Sequence, residues 1–212
     1  MTASRRRRLT PTAVGADKSA SSRLVAGGEE ALARARLIEA TIRLCCRNGI
    51  AATSVNDIIQ ESGVARMTLY NRFGSKDALI LAALEHETSV WRAWFFSRLA
   101  EIDGNARERL LGIFDILAEW FRRDDYLGCA LMNAAIESRS RDHKLNELIA
   151  SHKRRILEQM RALAAAADVD DVEMTAQQFD LLMDGAIVKA AIQRSAAPAI
   201  EAREIATALL SP

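Results

Sequence analysis

From Glu29 onward the apolar residues recur at helical spacing. Leu32, Ala35, Ile38, Ile42, Leu44 and Cys45 keep approximately to one face, and Gly49 in "RNGI" supplies the left-handed residue that commonly ends a helix. Thr53 or Ser54 caps a second helix, and Ser54 with Asp57 three residues later has the pattern of a capping box. Val55, Ile58 and Ile59 follow on an inward face, and Ser62-Gly63 closes that second helix. A few residues on, 65–73 makes a third, short helix, so the pair forms a helix-turn-helix. Ser75 caps a fourth helix over 76–99. The same periodicity predicts helices over 106–123, 127–138, 142–167, 173–194 and 198–210, with Pro198 suited to a first turn. No period-2 run is bounded by hairpin turns, so the expected fold is all-α with about nine helices.

Composition adds an asymmetry along the chain. The 212 residues carry a formal net charge of +1 and are 50% apolar, enough for a well-buried core. Residues 1–28 hold six Lys/Arg against one Asp, 29–76 seven against five, and 77–212 sixteen against twenty-two. The basic end is the candidate polyanion surface. Residues 1–28, rich in Ser, Ala, Gly and Arg without a sustained period, read as a disordered basic arm, and Arg5 to Arg8 could add phosphate contacts or simply be solvated. The expected organisation is therefore this arm, a helix-turn-helix domain over 29–76 and a second helical domain over 77–212. No apolar run reaches the roughly 18 residues of a membrane span. "MTASRRRRL" is followed by "TPTAVGADKSASS" where an export signal needs an apolar stretch, which points to a cytoplasmic protein. Cys45, Cys46 and Cys129 form neither a disulfide framework nor a zinc spacing.

The third helix spends its outward face unusually. At about 100° per residue, Leu69 and Phe73 point inward, Met67 and Asn71 point directly away, and Tyr70 and Thr68 lie on the flanks. Solvated faces are usually charged, whereas these side chains suit a DNA major groove. Asn can pair bidentately with adenine, Arg with guanine, and Met or a Thr methyl can touch the thymine methyl. Tyr70 and Thr68 can donate to phosphates. Lys76, in the first turn of the next helix, opposes that helix's macrodipole, which a nearby phosphate would offset.

The stretch "TSVNDIIQESGVARMTLYNRFGSKDALILAALE" resembles the N-terminal DNA-binding module of the tetracycline-repressor (TetR) family, with its "GV", "TLY", "F" and "SK-x-x-L". The resemblance covers about residues 31–85. It implies that 65–73 is the recognition helix and that Arg66, Met67, Thr68, Tyr70, Asn71 and Arg72 occupy DNA-facing places. It also implies that Lys76 contacts a phosphate, and that Ser54 and Asn56 reach the operator from the second helix. Two positions depart from the pattern: Ala65 stands where a capping Ser is usual, and Met67 where a small residue is common.

By the same resemblance, residues 77–212 form a ligand-binding and dimerisation domain. Helices 173–194 and 142–167 would make a four-helix bundle with their symmetry mates, with Leu182, Met183, Gly185, Ala186 and Ala190 at the dimer interface. For the ligand pocket the expected lining is Trp94, Phe95, Phe114, Leu117, Phe121, Cys129, Met132, Asn133 and Phe179, with Trp91, Trp120 and Tyr126 as further bulky walls. Cys129, Asn133 and Glu137 recur at i, i+4 and i+8 on an otherwise apolar helix, where buried polar groups need partners. The run "GCALMN", with His152-Lys153 and "LLMDGA", resembles a branch containing electrophile-sensing repressors, which makes Cys129 a candidate thiol and Asp184 a candidate ion-pair partner.

No HExxH, Ser-His-Asp order, glycine-rich phosphate loop or metal-ligand cluster is present, so neither an enzyme nor a cofactor is expected. The expected partners are double-stranded DNA, a second copy of the chain and a small apolar or amphipathic effector, with no membrane. The resulting reading is a ligand-responsive repressor that binds a palindromic operator as a dimer. A regulator answering a protein partner or no ligand, or an activator, stays open as an alternative.

Overall fold

Capping chemistry sets most of the helix boundaries. The computed structural model describes residues 18–138 and 143–211, the side chains of 18–27 and 138 excepted. Among them it shows nine α-helices and no strand: α1 Lys18–Asn48, α2 Val55–Ser62, α3 Arg66–Phe73, α4 Lys76–Ala100, α5 Ala106–Phe121, α6 Ala130–Ser138, α7 His143–Ala166, α8 Val172–Gln193 and α9 Ala197–Leu209. Gly49 ends α1 at φ +86°, its N–H donating to the Cys45 carbonyl at 2.9 Å. Ser54 Oγ accepts from Asp57 N while Asp57 Oδ2 accepts from Ser54 N, the reciprocal bonds of a capping box. Ser75 Oγ accepts from Ala78 N at the start of α4. Ala65, by contrast, gives α3 no side-chain cap.

Two boundaries differ from expectation. Helix α1 starts at Lys18 instead of near Glu29, so residues 18–28, expected within the arm, are its first turns. No proline interrupts 18–48, and Ala, Leu and Arg favour helix there; Arg5 to Arg8 lie outside the described residues. Helix α6 starts at Ala130 instead of Leu127, because Gly128 sits at φ +90°, a conformation no helix can contain.

Three apolar clusters hold the helices. Leu37, Ile38, Leu44, Ile58, Val64, Leu69, Leu79 and Ala83 pack α1 to α4 together around the helix-turn-helix. A larger cluster centres on Phe95, Leu110, Ile113, Phe114, Leu117, Met160 and Phe179 and joins α4, α5, α7, α8 and α9. Ala186 and Ala190 of α8 with Ala199, Ala202 and Ala206 of α9 contribute only methyl groups there, which lets helices approach closely. The third cluster, Cys45, Ile80, Leu84, Leu131, Ala134 and Leu145, brings α1, α4, α6 and α7 together. A cut at residue 76 thus falls at the start of a helix that serves all three clusters.

Candidate nucleic-acid interface and cavity

Helix α3 is fixed by Leu69, which is fully buried, and by half-buried Phe73, whose ring lies 5.8 Å from the Arg34 guanidinium carbon. The turn before it is tight: Gly63 adopts φ +64° and buried Val64 donates to Ser62 Oγ at 3.2 Å. What remains outside is the face expected from the wheel. Met67 is 68% and Tyr70 40% exposed. Asn71 and Arg66 are exposed and Thr68 is half-buried. Arg66 Nη2 donates to Asn56 Oδ1, tying the two exposed polar residues of α3 and α2 to each other.

Three other expected contacts are already engaged within the chain. Arg72 turns towards α1 and pairs with Glu30 at 2.6 Å, which removes it from the outward face. Its place in the last turn of α3 brings it back over α1. Lys76 Nζ donates to the Thr53 carbonyl at 3.1 Å, so the lysine at the N-terminus of α4 is already tied to the turn before α2. Ser54 donates its hydroxyl to Asp57 Oδ2 at 2.6 Å, and this bond with the one from Ser54 N–H holds the Asp57 carboxyl below its ordinary pKa.

Behind the helix-turn-helix lies a cavity of about 280 Å³ between α4, α6, α7 and α8. Its apolar wall is Trp91, Trp120, Leu131, Met132, Ala135, Ile136, Ile149, Ile156, Met183 and Ile187, and its polar side is Cys129, His152, Lys153, Asp180 and Asp184. Of the residues expected to line a pocket, Cys129 and Met132 do so, together with Trp91 and Trp120 of the further walls. Phe95, Phe114, Leu117, Phe121 and Phe179 instead fill the core, each at most 6% exposed. These side chains lie on the inner sides of α4, α5 and α8, where aliphatic side chains of α7 and α9 join them in the same cluster. Trp94 lines a second, more open groove of about 530 Å³ that runs past α1 and shares Trp91, Trp120, Cys129, Leu131 and His152 with the first. Asn133 faces neither; its Nδ2 donates to the Leu127 carbonyl at 3.4 Å.

The polar side is electrically specific. Lys153 Nζ donates to Asp180 Oδ1 at 2.7 Å and to both Asp184 oxygens at 2.7 and 2.8 Å. Burial pulls the ammonium down, but those bonds outweigh it and hold Lys153 above its ordinary pKa. Burial raises Asp184 despite the same pairing. His152 is pulled down to about 4 by burial, with Arg92 and Lys153 adding repulsion. Because Arg92 Nη1 lies 3.3 Å from His152 Nδ1 and can only donate, Nδ1 is the acceptor and the neutral ring carries its proton on Nε2. Burial also raises the Cys129 thiol, ahead of the lowering by Met132 and Leu131 backbone N–H groups. That is the reverse of the activation an electrophile-sensing thiolate needs. Sequence had singled out His152, Lys153 and Asp184 without placing them together, and had passed over Asp180; only its i, i+4 spacing to Asp184 marks it.

On α8 the apolar residues divide differently from expectation. Met183, Ala186 and Ala190 lie inside the subunit, at most 4% exposed, and Leu182 is half-buried against the same core. Gly185 is exposed, with no atom within 4 Å of where a Cβ would stand. The unpartnered apolar strip is instead Met174, Leu181, Val188 and Ile192, continued on α9 by Ile200, Ile205 and Leu209. Helix α8 carries apolar residues on two faces, so periodicity could not tell which of them meets its own core.

This fold and this outward face are those of a helix-turn-helix, DNA-binding transcriptional regulator. Residues 37–83 match the family described as "Bacterial regulatory proteins, tetR family". The N-terminal segment of the chain is thus similar to the DNA-binding segment of that family. It is 22% identical over 169 residues to the HTH-type transcriptional regulator YjdC of Escherichia coli, covering 80% of this chain and 88% of that one. SCO4454, a TetR-family transcriptional regulator from Streptomyces coelicolor, superposes with a TM-score of 0.79 at 24% identity, over 85% of this chain and 95% of its own. A regulator from Saccharomonospora viridis, solved in complex with choline, has a TM-score of 0.72 at 19% identity, over 84% of this chain and 95% of its own. The protein is a regulator and not an enzyme. Among the described residues no helix is long and apolar enough to cross a membrane.

Proposed function

We propose that the protein is a ligand-responsive repressor that acts in the cytoplasm, binding a palindromic operator as a dimer and leaving it when a small apolar or amphipathic molecule enters the ~280 Å³ cavity. One observation supports this above the others. The cavity is walled by α6 and α4, two helices that also pack on α1 in the third cluster, so an occupant presses on helices that support the reading domain. The division of the chain goes with it: residues 29–76 read DNA, and 77–212 bind the effector and the second protomer.

Arg66, Met67 and Asn71 address base edges; Thr68, Tyr70, Ser54, Asn56 and Lys76 address phosphates or position their neighbours. Arg72 serves as a brace to Glu30. The exposed strip of α8 and α9 forms the dimer contact, so the bundle is built from these two helices of each protomer and not from α7 and α8. The open space beside Gly185 suits the close approach of a partner helix. Effector identity follows the wall chemistry: an apolar body against Trp91, Met132 and Ile187, and a polar end towards Asp184 and His152. Trp91 Nε1, buried without a partner among the described residues, would find its acceptor on such a molecule. The choline bound to the Saccharomonospora viridis regulator shows that a protein of this fold holds a small molecule.

The reading is tested by selecting operator duplexes from a random pool, then screening small molecules by thermal shift with DNA release as the readout. The expected result is a two-fold symmetric site, one dimer per site, and at least one stabilising molecule that dissociates the complex. Molecules that stabilise the protein through the cavity yet leave DNA affinity unchanged would sink the ligand-responsive part.

A further inference from the structure

Helix α6 has two faces with different neighbours. Met132, Ala135 and Ile136 line the cavity. Ala134 packs into the cluster shared with α1 and α4, and Leu131 belongs to both sides. Glu137, one turn beyond Ala134 on that second side, reaches the junction between α1 and α2. Its Oε2 accepts from Ile50 N at 2.7 Å and from Ala51 N at 3.2 Å. These two amides follow the end of α1 and have no helical partner of their own, so the carboxylate supplies the acceptor that the turn lacks.

Gly49 makes the approach possible. A Cβ at that position would stand 2.7 Å from Glu137 Oε1 and 2.8 Å from Oε2, and its φ of +86° independently favours glycine. Charge-assisted bonds from a carboxylate to two backbone donors are stronger and more directional than the apolar contacts around them. The turn they hold leads directly into Ser54 and the capping box of α2.

We infer that Glu137 couples the cavity to the DNA-reading helices: displacement of α6 by an occupant either carries the 49–51 turn with it or breaks both hydrogen bonds. This rests on the reading of the cavity as the effector site. Glu137 is thus a positioning residue. It touches neither DNA nor the cavity, and its loss should alter the response to occupancy more than binding itself.

The test needs no identified effector, because a larger side chain can occupy the cavity. Ala135→Trp in the otherwise unaltered protein is expected to weaken binding to a selected operator about tenfold, a usual size for coupling between sites. In a Glu137→Ala background the same substitution should weaken it less than about threefold. Should Ala135→Trp fail to fold, Met132→Trp takes its place. Amide exchange at Ile50 and Ala51 should be faster in Glu137→Ala and in the filled-cavity variant, and near the original rate in Glu137→Gln, which keeps an acceptor. If filling the cavity weakens DNA binding equally in both backgrounds, the effector reading survives and the role of Glu137 is overturned. If filling the cavity leaves DNA binding unchanged even with Glu137 present, the effector reading itself fails and takes this inference with it. Unchanged exchange at Ile50 and Ala51 in Glu137→Ala would also overturn it.

Discussion

Helices α3 and α8 both leave large apolar side chains in solvent, but in different company. On α3, Met67 and Tyr70 stand among Arg66 and Asn71, so every exposed apolar group has a hydrogen-bonding neighbour. On α8, Leu181, Val188 and Ile192 follow one another with Gly185 along a single apolar strip. A surface that reads base edges needs donors, acceptors and methyl contacts together; a surface that meets another protein helix needs shape and apolar area. The contrast supports the proposed assignment of the two faces to different partners.

The contrast breaks most visibly at α8. Leu181→Glu combined with Ile192→Glu should convert the dimer to monomer and lower operator affinity by about 100-fold or more, roughly 3 kcal/mol. Sedimentation alongside DNA titration checks this, and a dimer that persists would move the interface elsewhere.

Next in size is an effect of the polar wall, which neither face contributes. The unfolded His152 titrates near 6.5 and the folded one at about 4, so the unfolded chain binds more protons between those values. Stability is therefore greatest above pH 6.5 and is lost as pH falls towards 4, by up to about 3 kcal/mol at roughly 1.4 kcal/mol per unit. Glu87 and Asp184, both raised by burial, titrate with the opposite sign in the acid part of that window. The His152 contribution is accordingly the difference between urea unfolding of the native chain and of His152→Gln across pH 4 to 7; parallel curves would contradict it.

On α3, Asn71→Ala should cost about 1–3 kcal/mol of operator binding while sparing nonspecific DNA. Lys76→Ala should instead weaken all duplexes alike and reduce the salt slope by about one. Competition titrations at several salt concentrations separate the two, and identical profiles would undo the division of roles. The smallest change expected is a gain. Ala65→Ser supplies the missing cap of α3, worth about 1 kcal/mol, and should slow amide exchange at Met67 and Thr68 about fivefold.

What could be read from the chain alone was local. The caps at Ser54 and Ser75, the stops at Gly49 and Gly63, the bare N-terminus at Ala65 and the inward pair Leu69 and Phe73 all depend on residues within a turn or two of one another. The family pattern rests on the same neighbourhood. The cavity does not: Trp91, Cys129, His152 and Asp184 come from separate parts of the chain and meet only after α4, α6, α7 and α8 pack. Bulky rings such as Phe95, Phe114 and Phe179 carry the same sequence signal whether they fill a core or line a void. Choosing the interior side of α8 fails for a related reason, since a helix with two apolar faces has no preferred one until its neighbours are known. Glu137 was visible as a polar interruption of an apolar helix, but its partners lie 86 and 87 positions away.

Helix α4 carries a mechanical consequence. Its 25 residues, at about 1.5 Å each, make a rod of roughly 37 Å that is embedded in the main core at Phe95 and Leu99 and in the reading domain at Leu79 and Ala83. Pivoting such a rod by about 5° about its far end moves its first residues by roughly 3 Å, which is close to the 3.4 Å separating successive base pairs. Under the proposed function, an angular change too small to disturb the packing around Phe95 would be enough to put Lys76 and the neighbouring α3 out of step with an operator by one base pair.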